Sequence, residues 1–161
     1  MFELCASILA ANFACLKREV RAAESAGGDV FHIDIMDGHF VSAVSFGTGI
    51  VRTMGRLTQK PLDVHLMVEN PLPFIPELAE EKVERVSVHY EIPGGPEKAL
   101  RAIREAGMQA GLVLNPETPN GAAKPYLHGL DRILLMTVCP GRRGFRNGRR
   151  PVPPFLRPVP V

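Results

Sequence analysis

The chain has 161 residues, 45% of them hydrophobic and 22% charged, the balance of a single globular domain and not of a disordered or fibrous polypeptide. Its net charge of +2 is local in origin, because six arginines lie between Arg142 and Arg157 with no acidic residue among them, and without these six, 13 basic residues face 17 acidic ones, net −4. No segment approaches the roughly 20 apolar residues that span a bilayer, and the body has neither a basic stripe nor a stacking platform of aromatics, so no membrane insertion and no nucleic-acid partner are expected.

The stretch Ser7 to Leu16 is mildly apolar, but no basic region precedes it and Asn12 interrupts it, so it does not read as a signal peptide. Leu4–Leu9 is predicted as a strand. A helix follows over Phe13–Ala26, with Asn12 as its N-cap and Gly27–Gly28 as its stop. Val30–Asp34 is the second strand, and a glycine-bearing loop from Met36 to Gly47 leads to a short helix over Thr48–Leu57. Leu62–Leu66 is the third strand. Pro71–Glu81 is predicted helical with proline in its first turn, Arg85–His89 is strand four, and Pro96–Ala106 is a helix closed by Gly107. Gln109–Leu114 is strand five, Asn120–His128 a weaker helix, and Arg132–Val138 strand six.

Six strand-then-helix repeats of similar length imply parallel strands joined by right-handed crossovers. An open doubly wound sheet usually carries a glycine-rich turn after its first strand, whereas here that strand runs into S-I-L-A-A-N-F. Polar residues instead gather at the C-terminal ends of strands: Ser7, His32, Asp34, His65, His89 and Asn115. That distribution predicts an α/β barrel of the (β/α)8 type, whose active site is built at that rim.

Strand residues two apart share a face, so His32 and Asp34 in V-F-H-I-D point the same way, and His65 in L-D-V-H-L can join them. A lone strand-end histidine is more often a hydrogen-bonded core group. The paired H-x-D and D-x-H patterns favour a functional cluster instead. Asp63 shares parity with His65 and is expected to orient it or to be a buried structural carboxylate. Asp37 has odd spacing from Asp34 and is expected to hold a turn, and His39 is expected to be solvated. Cys5, Cys15 and Cys139 lack C-x-x-C spacing, which argues against a disulfide framework and a thiolate zinc site and fits a reducing cytoplasm.

The segments C-A-S-I-L-A-A-N-F, H-I-D-I-M-D-G-H-F-V, L-D-V-H-L-M-V, V-S-V-H-Y-E, A-G-L-V-L-N-P-E-T-P and L-L-M-T-V-C-P-G resemble, in order and spacing, successive signatures of the ribulose-phosphate 3-epimerase family, from about Cys5 to Gly141. The resemblance implies a (β/α)8 barrel, one divalent metal, and interconversion of ribulose 5-phosphate and xylulose 5-phosphate by proton transfer at C3 through an enediolate. It implies His32, Asp34 and His65 as metal ligands, with Asp34 also one of the two proton-transfer residues, and Ser7, His65, Gly141 and Gly144 in contact with a phosphorylated ketopentose. Zinc, iron, manganese and cobalt all suit such a ligand set. Met36, Met67 and Met136 correspond to methionines around the reacting centre, and the family implies a homo-oligomer. An epimerase for another ketose phosphate, such as allulose 6-phosphate, and a non-catalytic metal-binding remnant are the alternative readings.

Where family members continue after P-G with a glycine-rich phosphate-gripping turn, this chain reads P-G-R-R-G-F. Gly141 and Gly144 match that turn, and Arg142 and Arg143 do not. The expected division is therefore a partial barrel over 1–141 and an irregular Arg/Pro-rich tail over 142–161, with five prolines in its last eleven residues. Such a tail cannot supply strands seven and eight or the family's second catalytic aspartate, itself a metal ligand. The abrupt change in composition is what an out-of-frame reading of a GC-rich gene would produce. Six strands would leave open edges, which predicts aggregation or dependence on a partner.

Overall fold

A computed structural model describes residues 2–81 and 83–141; the predicted tail, with Arg142, Arg143 and Gly144, lies outside them. Six parallel strands form one sheet in chain order: β1 (Cys5–Ser7), β2 (Val30–Met36), β3 (Leu62–Met67), β4 (Arg85–His89), β5 (Gln109–Leu114) and β6 (Arg132–Leu135). The connecting helices are α1 (Leu16–Ser25), α2 (Thr48–Leu57), α3 (Phe74–Glu80) and α4 (Glu97–Glu105), with 3-10 helices at Phe13–Cys15 and Asn120–Gly129. This is the expected α/β barrel architecture, represented among the described residues by five βα units and a sixth strand as a curled half-barrel.

Strand parity divides the sheet into two chemically different surfaces. Phe31, Ile33, Ile35, Val64, Leu66, Val86, Val88, Ala110 and Leu112 are buried on the outer face. Against them pack the apolar stripes of the helices: Leu16 and Val20 of α1, Val51 and Met54 of α2, Ile75 and Leu78 of α3, and Leu100 and Ile103 of α4. Each such aliphatic side chain, when fully buried, contributes about 1.5–3 kcal/mol, so this layer supplies most of the stability. The concave face carries the polar residues, because in-register pairing aligns Ser7 with His32, His32 with Asp63, Asp34 with His65, and His65 with Ser87.

Two ion pairs cross the concave face and record its curl. Arg132 of β6 reaches Asp63 of β3, and Arg85 of β4 reaches Glu3, which precedes β1, at 2.8 Å. Gly111 of β5 lies beneath the first of these. A Cβ there would sit 2.2 Å from Ser87 Oγ and 3.1 Å from Arg132 Nε, so only glycine admits the guanidinium.

The element bounds depart from expectation in physically readable ways. The Asn12 side chain accepts a hydrogen bond from the Ala14 backbone N–H at 3.1 Å, so it caps the 3-10 turn that leads into α1 and not α1 itself. α3 starts at Phe74 and not Pro71, since Pro71 and Pro73 hold a turn closed by Phe74 N–H to Pro71 C=O at 3.0 Å. The predicted helix over Asn120–His128 is a 3-10 helix, with Pro125 inside it removing one backbone donor. β1 and β6 are shorter than predicted because each is hydrogen-bonded on one side only among the described residues. On β6, Ile133 and Leu135 remain 39% and 38% exposed.

Candidate metal centre and active site

His32, Asp34 and His65 converge at the C-terminal rim of β2 and β3. His32 Nε2 lies 3.2 Å and His65 Nδ1 3.0 Å from the same Asp34 oxygen, Oδ1. One ligand atom from each of the three residues falls within 4.8 Å of the others. The second carboxylate oxygen, Oδ2, accepts a hydrogen bond from the Ser7 hydroxyl at 3.3 Å. Ser7 Oγ in turn accepts from the Leu9 backbone N–H at 3.2 Å, which aims its proton at Asp34.

The electrostatics are those of a tightly coupled cluster. Burial opposes a charge on His32, yet the hydrogen bonds and charge attraction of Asp34 and Cys5 together outweigh it and raise the imidazole to about 9. Burial likewise works against the Asp34 carboxylate, but His32 and His65 hold it far below the usual carboxylate range. His65 is almost wholly enclosed, and burial lowers it to about 4 despite Asp34. The free chain therefore keeps a proton between His32 and Asp34, where a cation would replace it.

The far nitrogens of both imidazoles are also held. His32 Nδ1 is 3.0 Å from Asp63 Oδ2, so a neutral His32 donates there and turns an unprotonated Nε2 toward Asp34. Asp63 thus orients His32 and not His65, a correction to the parity reading: register sets Asp63 beside His32 on the neighbouring strand. His65 Nε2 is 2.8 Å from His89 Nε2, and His89 Nδ1 is 3.1 Å from Glu91 Oε2. Two imidazole nitrogens and a carboxylate oxygen aimed at one point fit a divalent transition metal. A second grouping, Cys5 with His32 and Asp63, also lies within 4.8 Å, but the Arg132 guanidinium already occupies Asp63 and would repel a cation.

The loop from Met36 to Gly47 covers this rim. Asp37 holds its turn, accepting from the backbone N–H groups of His39 at 2.8 Å, Phe40 at 2.9 Å and Glu69 at 2.9 Å. His39 is exposed, as expected. Phe40 packs at a tilt against His89 with ring centroids 4.7 Å apart and an interplanar angle of 47°, excluding water from the buried imidazoles. Ser45 hydroxyl donates to the Asp34 carbonyl and accepts from Met36 N–H, fixing the end of β2. Met36 and Met67 pack together with Val41 beside the cluster. Gly141 reaches the same rim, where it lines a cavity of about 320 Å³ with Leu9, Met36, Ser45 and Phe46.

Sequence reasoning set His89 aside as a rim residue and did not reach Glu91, Ser45 or Arg132. The first two had a readable signal. His89-Tyr90-Glu91 repeats the imidazole-x-carboxylate spacing of His32-Ile33-Asp34.

A half-barrel of parallel βα units, with two imidazoles and a carboxylate gathered at its C-terminal rim, has the architecture of the (β/α)8-barrel class, in which that rim carries the functional residues. The chain belongs to the ribulose-phosphate 3-epimerase family, whose model matches residues 3–149. It is 43% identical over 144 residues to the ribulose-phosphate 3-epimerase of Bacillus subtilis (strain 168), covering 89% of this chain and 66% of that protein. The ribulose-phosphate 3-epimerase of Methanocaldococcus jannaschii is 41% identical over 144 residues, covering 89% and 61%. The chain thus spans less than two thirds of the length of these relatives. Among solved structures, tryptophan synthase from M. tuberculosis in its aminoacrylate-bound form superposes with a TM-score of 0.60 at 12% identity, over 83% of this chain and 64% of that one. Tryptophan synthase subunit alpha from Legionella pneumophila str. Paris gives 0.59, over 84% and 61%. These likenesses concern the barrel fold alone. No described helix is long and apolar enough to cross a membrane.

Proposed function

We propose that this chain carries the proton-transfer chemistry of its family, a metal-dependent interconversion of D-ribulose 5-phosphate and D-xylulose 5-phosphate at C3, as part of pentose phosphate metabolism in a reducing cytoplasm. The observation that carries the reading is the division of labour within one carboxylate: Asp34 Oδ1 faces two imidazole nitrogens, while Oδ2 faces the Ser7 hydroxyl. A divalent ion, zinc, iron, manganese or cobalt, held by His32, Asp34 and His65 would polarise the substrate ketone and stabilise the negative charge that develops on its oxygen.

Inversion ends when a solvent proton is returned to the opposite face of the enediolate at C3; it begins when the C3 proton is taken by Asp34. Because its carboxylate is held below the ordinary range, it is a weak base, and the reaction depends on the C3–H being acidified by the neighbouring ketone. Ser7 positions the carboxylate and contacts the sugar, and His65 lies within reach of the same substrate. Gly141, and Gly144 beyond the described residues, would offer backbone N–H groups to the phosphate. The methionines and Phe40 keep water from the charge that forms. A homo-oligomer belongs to this reading, since among the described residues the β1 and β6 edges carry unpaired backbone groups that a second copy would cover.

The test is incubation of the metal-loaded chain with ribulose 5-phosphate in deuterium oxide. Deuterium at C3 together with xylulose 5-phosphate is the expected result. Metal uptake without exchange would instead establish the second reading, a metal-binding protein without turnover, which the chain's partial coverage of its relatives favours. Faster turnover of allulose 6-phosphate would reassign the sugar.

A further inference from the structure

A hydrogen-bonded relay stands behind the cluster. Glu91 Oε2 lies 3.1 Å from His89 Nδ1, His89 Nε2 lies 2.8 Å from His65 Nε2, and His65 Nδ1 lies 3.0 Å from Asp34 Oδ1. His89 has no solvent exposure and sits between the His65 ring, 4.9 Å away, and the Phe40 ring. The donor and acceptor roles can be read from one end. A carboxylate only accepts, so His89 Nδ1 bears its proton. The other Glu91 oxygen is filled by two more donors, the Asn115 backbone N–H at 2.9 Å and the Thr118 hydroxyl.

The N···N contact holds a single proton. A cation beside His65 disfavours a second positive charge in this dry layer, which leaves His89 neutral with a lone pair on Nε2. That lone pair accepts from His65 Nε2–H. Neutral His65 then has no proton on Nδ1, the nitrogen turned toward Asp34. We propose that Glu91 and His89 are positioning residues that fix the tautomer of His65, so that its Nδ1 is presented as a cation ligand. The inference rests on the cation reading of the site above.

Glu91→Gln tests it, because the side chain keeps its shape while three donors converge on a group with one acceptor oxygen. If the amide oxygen serves Asn115 and Thr118, the NH2 donates to His89 Nδ1 and the relay reverses. His89 then donates from Nε2, and His65 carries its proton on Nδ1, against the cation. Zinc affinity of the full chain, measured by competition with a chromophoric chelator, is expected to fall about 10–100-fold in Glu91→Gln. Nitrogen-15 spectra of the histidines should show His65 passing from the Nε2–H to the Nδ1–H form. Thr118→Val, which removes another partner of the same carboxylate but leaves the relay intact, should bind zinc as the wild type does.

Unchanged zinc affinity in Glu91→Gln overturns the proposal, as does an equal loss in Thr118→Val, which would mean loop packing alone. Should Glu91→Gln fail to fold, the nitrogen-15 spectrum of the zinc-loaded wild type decides, since a His89 without its proton on Nδ1 contradicts the relay. A wild type that takes up no zinc defeats the cation reading and the proposal with it, whereas zinc uptake that Glu91→Gln leaves unchanged defeats the proposal alone.

Discussion

Asp34→Asn is expected to abolish deuterium incorporation at C3, a loss of about 10²–10⁴-fold from the missing base alone, and to weaken divalent-ion binding at the same time. The amide keeps the size of the side chain but carries no charge. Where Asp34 Oδ1 meets both His32 Nε2 and His65 Nδ1, Asn presents either a weaker neutral acceptor or an NH2 that opposes a cation. The same substitution makes a prediction for stability of the metal-free chain. The folded state raises His32 to about 9, above its ordinary value near 6.5, chiefly through Asp34 acting against burial. The stabilisation from that pair is complete below the ordinary value and is lost as pH rises through about 9. Urea unfolding should therefore show Asp34→Asn less stable than wild type at pH 6, with the gap narrowing toward pH 10. A gap independent of pH would mean that the pair does not control the His32 proton.

The strands whose bounds were foreseen, β4 and β5, are short apolar runs delimited by charged or turn-forming residues, and hydrogen bonding on both sides held them to the predicted length. β6 was read too long because Met136 and Val138 extend its apolar run, but a strand also requires neighbours, which local composition does not reveal. The same distinction governs the site. Parity placed His32, Asp34 and His65 on one surface, because side-chain direction alternates along any strand. Parity cannot supply register, and register decided that Asp63 serves His32. Arg132 left no local signal at all: a charged residue at a strand start reads as solvated, and only the curl of the sheet carries it across to Asp63. Gly111 is the residue that permits this crossing, and its necessity becomes visible only once the Ser87 hydroxyl and the guanidinium are seen on either side of it.

Asp63→Ala is the substitution with the largest expected effect on stability. Asp63 retains 6% of its side-chain exposure and satisfies three donors, Arg132 through Oδ1 and both His32 Nδ1 and the Cys5 thiol through Oδ2. Removing it leaves the guanidinium on the concave face with Ser87 Oγ as its remaining partner, at 3.0–3.2 Å. Burial disfavours the charged form of Arg132 and lowers its pKa, and the Asp63 carboxylate is the anionic group in direct contact with the guanidinium. Breaking such a pair costs about 3–5 kcal/mol when both members are buried. With 23% of the Arg132 side chain still exposed, the lower end, about 3 kcal/mol, is the expected loss in urea unfolding. The double variant Asp63→Ala/Arg132→Met should recover most of it, since an apolar chain of similar length needs no counter-ion. If the double variant is as unstable as the single one, the uncompensated charge is not the cause, and the loss lies in the orientation of His32. The two causes separate in a second measurement, because only the latter would lower zinc affinity in the single and double variants alike.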